Sequence, residues 1–440
     1  MYFLTIAEIS SNCNLYGEVA IPGDKSISHR ALLMCLVMSG KTTLTNLNMG
    51  QDVLNTLNFI ELLGVQSKRY SKGILELDFD GCIKNGNYEV WCGNSGTLAR
   101  LGIGLVSGLK IDLVRFDGDE SLRKRPMDRI VDPLELMGAS LQSENNNKTL
   151  PVKVTSSSLK GIKYRTKTPS AQVKSAILLA GLNADGNTTI SENKLTRRHT
   201  EELFSLCGIE YDTHYKPNDY STTINGGQKA SGFDIKIPCD PSQAAFFIAG
   251  ALILPNSKVT LNNVYLGQER VGFLNLLQRM NATIKVSVKS KYPFLVGTIQ
   301  AESSNLTAID ILEDEVADLV DEIPILAVCA ASAQGISRFN GLKELRVKES
   351  DRIATVTEML RDFGVSVEVE ADDMVITGHP DLLKSNVTTN SYKDHRIAMA
   401  ASIMAMREHS QRNSVTKILN FECVDTSYLN YLKDLNSLKV

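Results

Sequence analysis

Ile21-Pro22-Gly23-Asp24-Lys25-Ser26 opens an apolar, helix-like run, and 216 residues further on Ile237-Pro238-Cys239-Asp240-Pro241-Ser242 opens another. A recurrence at close to half of the 440 residues indicates two related halves, and the proline-containing joints are candidate hinges. A chain of this length also exceeds what one hydrophobic core serves, so two or three domains are expected.

A shorter recurrence lies inside the halves. Amphipathic stretches end at Gly64, Gly138, Gly208, Asn281 and Gly364, each followed by a segment of alternating character, with successive spacings of 74, 70, 73 and 83 residues. Glycine or asparagine after the last apolar residue suits a left-handed helix C-cap. The segments 365–369 and 284–288 alternate as half-buried strands do. Ile353, Val356, Leu360 and Phe363 share one helix face, which should pack inward. A last helix-like piece, residues 428–438, falls where a sixth copy would end. The pattern predicts six helix–strand units in two domains.

Composition removes several classes. With 47 basic and 50 acidic residues the net charge is −3, without the basic surplus that nucleic acid binding draws on. The longest apolar runs, 31–38 and 244–254, are too short for a bilayer. The first residues have no basic n-region or transit character, so a soluble, cytoplasmic protein is expected. The eight cysteines occur singly, with no zinc or redox spacing, and receive no role. Ser39-Gly40-Lys41-Thr42-Thr43 imitates the end of a P-loop, but the motif needs a glycine where Cys35 stands. Gly40 reads instead as a helix C-cap.

The positive charge is concentrated in motifs. Arg30, Arg100, Arg125, Arg352 and Arg396 each lie beside Gly, Ser, Pro or Asp, most of them near the start of an apolar segment. Helix N-termini offer free N–H groups and a positive dipole end, and the guanidinium fork matches phosphate or carboxylate. Lys25, Ser26 and Arg30 could converge on one phosphate; Gly93 to Thr97 can form an anion nest ahead of Arg100. Ser170 and Gln172 can bond ligand hydroxyls. Asp321 and Glu322 precede an apolar helix, and Lys348, Glu349 and Arg352 sit in a dense mixed-charge run. Each segment alone reads equally as a capped or solvated helix start. Together they suggest a small, multiply anionic ligand.

Taken in order, residues 22–30, 94–97, 125–127, 170–174, 321–324, 345–352 and 394–399 resemble one family closely, the 5-enolpyruvylshikimate-3-phosphate synthases. The resemblance implies an α/β (α+β) fold of two similar domains, each of three βαβαββ units, an inside-out α/β barrel. It implies one domain of residues 1–21 plus 239–440 and another of 22–238, hinged near 21–22 and 238–240, which close on the ligand. The implied substrates are shikimate 3-phosphate and phosphoenolpyruvate, with no cofactor, no metal and no nucleic acid or membrane partner, in a monomer.

By the same resemblance Lys25, Ser26, Arg30, Ser170, Gln172, Asp321 and Lys348 bind shikimate 3-phosphate. Gly96, Arg125, Gln172, Arg352 and Arg396 hold phosphoenolpyruvate, Lys25 reaches both, and Asn94 and Arg100 complete the set. Asp321 is the implied base, Glu349 the implied proton donor, and Lys25 the third catalytic group. One departure stands out: where the family usually has a lysine before a Thr/Ser-Phe-Pro run, this chain has Asp425-Thr426-Ser427-Tyr428. Two alternatives follow, an anion-binding relative without turnover and a relative of UDP-N-acetylglucosamine enolpyruvyl transferase. The N-terminal motif argues against the second, and Lys25, Asp321, Glu349 and the five arginines against the first.

Overall fold

The computed structural model describes residues 5–11, 13–70, 73–145, 148–378, 383–407 and 414–440. Among the described residues six sheets form on one strand order, complete with four strands in four of them, with a fifth short strand in one and with only three strands in the last. The strand Asn87–Trp91 leads through the helix Gly96–Val106 to a parallel neighbour, Leu113–Asp117. A second helix, Asp128–Leu136, then leads to the antiparallel strands Ser140–Ser143 and Val152–Thr155, the latter pairing with Leu113–Asp117. The same order runs through Lys163–Arg165, Asn187–Glu192, Asp219–Asn225 and Tyr211–Lys216. It returns in Asp310–Ile311, Gly335–Phe339, Asp373–Gly378 and Ser366–Glu370.

The other three sheets are completed by strands remote in sequence. Ala230–Ser231 and Asp234–Lys236 lie parallel to Met38–Thr45, Tyr16–Val19 lies parallel to Lys258–Tyr265, and Ile6–Ser10 pairs antiparallel to Val415–Leu419. The chain accordingly forms two compact units, Met1–Pro22 with Pro238–Val440, and Gly23–Ile237. Each holds three of the sheets.

Within each unit the first helices of the repeats are the most buried. In Gly23–Ile237 they are Lys25–Met34, Gly96–Val106 and Ala171–Gly181; in the other unit, Pro241–Ile253, Ile323–Ser332 and His395–Ala405. Five of them are predominantly apolar, as a helix surrounded by protein tends to be, whereas Lys25–Met34 also buries Ser28, His29 and Arg30. Gly104 permits the closest approach: a Cβ there would stand 2.5 Å from the Ala176 carbonyl oxygen of the neighbouring helix. The second helices carry a single apolar stripe. Ile353, Val356 and Leu360 on the helix Arg352–Asp362 and Phe363 at its C-cap are all buried.

The five terminators Gly64, Gly138, Gly208, Asn281 and Gly364 all have positive φ, between 68° and 112°. The strands after Asn281 and Gly364 run Thr283–Ser290 and Ser366–Glu370, and the sixth helix is Tyr431–Ser437. Gly40 corrects the reading from sequence. The helix stops at Met34, a short 3-10 turn spans Cys35–Val37, and Gly40 lies in the strand Met38–Thr45 opposite Phe79. Cross-strand pairing through Thr42 and Leu44, both buried, captures the segment that local chemistry reads as a cap. Among the described residues no helix is long and apolar enough to cross a membrane.

Candidate active site

In the unit Gly23–Ile237 the three inner helices begin at three of the motifs. Asp24 caps the first, accepting from the Ile27 N–H at 2.8 Å. Lys25 follows, its Nζ 3.2 Å from Asp52 at the start of the helix Gln51–Leu62. The Ser26 hydroxyl accepts from Arg197 Nη1 at 3.3 Å. Arg30 is buried one turn on; it donates to the Ser26 carbonyl, to Ser175 Oγ and to Thr200 Oγ1, with 2.9, 2.7 and 3.0 Å as the shortest distances. Its fork thus ties the backbone of Ser26 to two other helices. His29, between Lys25 and Arg30, bonds Thr56 at 2.6 Å, and burial together with the two cations holds its pKa well below the usual range, so the ring is neutral.

A second group gathers around Gly96. Ser95 caps the helix Gly96–Val106. Arg100 Nη1 donates to Gln172 Oε1 at 2.7 Å, and the Gln172 amide donates to Thr97 Oγ1 at 3.0 Å. Arg125 Nη2 donates to Asn94 Oδ1 at 2.6 Å, and Asn94 in turn donates to Asp119 at 2.7 Å. A Cβ on Gly96 would lie 2.7 Å from Arg100 Nη1 and 3.4 Å from Arg125 Nη1. Ser170 caps the helix Ala171–Gly181 through the Val173 N–H. Gly96, Asn94, Arg100, Arg125 and Gln172 are therefore one cluster.

The other unit gathers the C-terminal motifs. Arg352 is fully buried, with Nε 2.9 Å from Asp394, Nη2 2.6 Å from Glu349 and Nη1 3.6 Å from Asp321. Arg396 Nη2 stands 3.6 Å from the same Asp321 oxygen, and its Nη1 donates to the Asp321 carbonyl at 2.9 Å. Asp394 also caps the helix His395–Ala405. Burial lowers the pKa of Lys348, an effect partly opposed by Asp321. Next to Asp321, the buried Glu322 accepts from Ser242, which accepts from Arg270 at 3.0 Å. Burial, then the Asp321 charge, push the Glu322 carboxyl up to about 7.

Of the residues expected at the site, Asp321, Lys348, Glu349, Arg352 and Arg396 lie in one unit and the rest in the other; Ser170 is seen only as the cap of its own helix. Arg197 and Asp52 escaped the sequence reading, and Glu322 was read there only as a carboxylate ahead of an apolar helix. A basic pair ahead of the helix His199–Cys207 was the only signal for Arg197. Asp425 is exposed on the 3-10 turn Phe421–Thr426, beside the buried Tyr428.

Each unit thus gathers guanidinium or ammonium groups with carboxylates near helix N-termini, an arrangement suited to anion binding and proton transfer. Residues 9–435 match the family described as EPSP synthase (3-phosphoshikimate 1-carboxyvinyltransferase). A 3-phosphoshikimate 1-carboxyvinyltransferase of Persephonella marina is 40% identical over 438 residues, covering 98% of this chain and 99% of the relative. One from Bacillus subtilis is 37% identical over 429 residues, covering 96% and 97%. A solved EPSP synthase from Acinetobacter baumannii aligns with a TM-score of 0.85 at 35% identity, covering 99% of this chain and 98% of that one. On these matches the chain belongs to the EPSP synthase (3-phosphoshikimate 1-carboxyvinyltransferase) family.

Proposed function

We propose that the clusters just described carry out the family's reaction, transfer of the enolpyruvyl group of phosphoenolpyruvate to the 5-hydroxyl of shikimate 3-phosphate. The chain is a carboxyvinyl transferase of the shikimate pathway, which leads to the aromatic amino acids. In the addition step the 5-oxygen bonds to C2 of phosphoenolpyruvate, its proton goes to a base, and the methylene carbon takes a proton from an acid. In the elimination step the C2–O bond to phosphate breaks and the methyl group returns a proton, restoring the double bond.

The observation that carries the assignment is Asp321, whose Oδ1 stands 3.6 Å from both Arg352 and Arg396, with Glu349 on the same Arg352. Asp321 takes the hydroxyl proton and Glu349 serves the methylene carbon. Arg352 and Arg396 neutralise the phosphoenolpyruvate charge that persists through the tetrahedral intermediate. Arg125 and the N–H groups at Gly96 hold the same substrate, and Gln172, fixed by Arg100 and Thr97, orients it. Lys25, Ser26, Arg30, Ser170, Gln172 and Lys348 take shikimate 3-phosphate, at whose hydroxyl Asp321 acts. Arg197, donating to the Ser26 hydroxyl, joins them as a phosphate partner, and Arg30 also donates to the Ser26 carbonyl. Asp425 leaves the C-terminal turn without the family's usual cation, so phosphoenolpyruvate affinity depends on the arginines. The working form in this reading is a cytoplasmic monomer without cofactor.

Phosphate release from the purified protein, with each substrate omitted in turn, tests the reading. Release that needs both supports it; no release, with shikimate 3-phosphate still binding by calorimetry, favours the anion-binding relative. Undiminished turnover by Asp321→Asn would remove that residue from the role of base.

A further inference from the structure

Lys174 belongs to the motif that carries Ser170 and Gln172, yet its side chain points away from them into the protein. It is 1% exposed, and Nζ lies 3.0 Å from Glu192 and 3.0 Å from Glu201, both as deeply buried. A buried ion triad is weak evidence for stability, because apolar replacements of similar volume often do as well. What such a triad supplies is geometry, and here the geometry converges on one peptide. Glu192 accepts from the Thr196 N–H at 2.9 Å and from the Thr196 hydroxyl at 2.7 Å, while Lys174 Nζ donates to the Thr196 carbonyl at 3.2 Å. Three polar groups of Thr196 are thus fixed by one ion pair. The next residue is Arg197, whose guanidinium reaches Ser26 Oγ from a segment without regular structure.

We propose that Lys174 and Glu192 are positioning residues that hold the Thr196–Arg197 backbone so that Arg197 presents its guanidinium to the phosphate of shikimate 3-phosphate. The proposal rests on the reading of Arg197 as a phosphate partner. A long, flexible arginine binds well only when its backbone is already in place, since ordering it on binding subtracts from the affinity. Lys174 also fixes this segment to the helix that begins with Ser170 and Gln172, so that one buried cation sets the spacing of two substrate contacts.

The test is a double-mutant cycle on binding, read by calorimetry with shikimate 3-phosphate and, as a control, with phosphate-free shikimate. Arg197→Ala and Glu192→Met are each expected to weaken shikimate 3-phosphate about tenfold, as loss of a charge-assisted hydrogen bond does. The double variant is expected to bind no more weakly than Arg197→Ala alone, and Glu192→Met to leave shikimate binding unchanged. If Glu192→Met does not fold, Thr196→Val, which removes only the hydroxyl bond to Glu192, is read in its place with an expected loss of about threefold. Additive losses, or equal losses for shikimate and its phosphate, would mean a merely structural triad and overturn the proposal. Full affinity in Arg197→Ala would instead refute the reading of Arg197, and the proposal with it.

Discussion

Arg352 and Asp394 form an ion pair with both side chains wholly buried, Nε of the arginine lying 2.9 Å from Oδ2 of the aspartate. The same carboxylate accepts from the Arg396 N–H at 2.9 Å and so caps the helix His395–Ala405. One buried group therefore starts a core helix and aims an arginine.

Asp394→Asn should cost the second function and spare the first, because an asparagine Oδ1 still caps a helix while the counter-charge to Arg352 is lost. Removing one partner of a buried pair leaves charge without its counterpart, at roughly 3–5 kcal/mol. Urea denaturation is expected to show a loss of that order, with a rise in KM for phosphoenolpyruvate larger than that for shikimate 3-phosphate. A variant as stable as the parent would mean that Glu349 and Asp321 suffice to hold Arg352.

Gly96→Ala places a methyl 2.7 Å from the tip of Arg100 and 3.4 Å from that of Arg125. The atoms met are ends of flexible side chains, so the fold is expected to lose less than about 1 kcal/mol. Binding is not spared in the same way, because Arg100 must shift away from Gln172. KM for phosphoenolpyruvate is expected to rise about tenfold, the worth of one charge-assisted hydrogen bond, with KM for shikimate 3-phosphate little changed. Equal effects on both would detach Gly96 from the phosphoenolpyruvate side.

These residues were legible in the sequence because their signals are local. A cap, a glycine and an arginine one turn later fit within eight residues, and the left-handed terminators at Gly64 and Asn281 need only the end of one helix. What the sequence did not disclose depends on distant partners. Arg30 finds Ser175 and Thr200, 145 and 170 residues away, and Arg197 finds Ser26 at a separation of 171. No local pattern encodes such contacts. Gly40 shows the converse, a segment whose local cap chemistry yields to pairing with Phe79 and its neighbours.

Glu322 makes stability depend on pH. Its carboxyl is pushed from 4.5 to about 7, first by burial and then by Asp321. Below the unfolded value both states are protonated and the folded state has its full advantage. As pH rises toward 7 the unfolded chain releases a proton that the folded one retains, so stability falls, by about 3 kcal/mol in all. Glu322→Gln removes this titration. Thermal unfolding followed from pH 5 to 8 should give a flatter profile for the variant, and parallel profiles would show that Glu322 is already ionised in the fold.

Lys348 should set the alkaline limit of activity. Burial lowers the pKa of its ammonium, and the repulsion of Arg352 adds to this, while Asp321 opposes both. Shikimate 3-phosphate needs the charged form, so kcat/KM for that substrate, which reports the free enzyme, is expected to fall on the alkaline side at a pH below the usual lysine range. Arginine stays protonated throughout. Lys348→Arg is therefore expected to lower kcat/KM near neutrality, where the different shape of the head group counts, yet to move the alkaline limb upward. An alkaline limb that stays in place in Lys348→Arg would assign the titration to another group and leave Lys348 as a binding residue only.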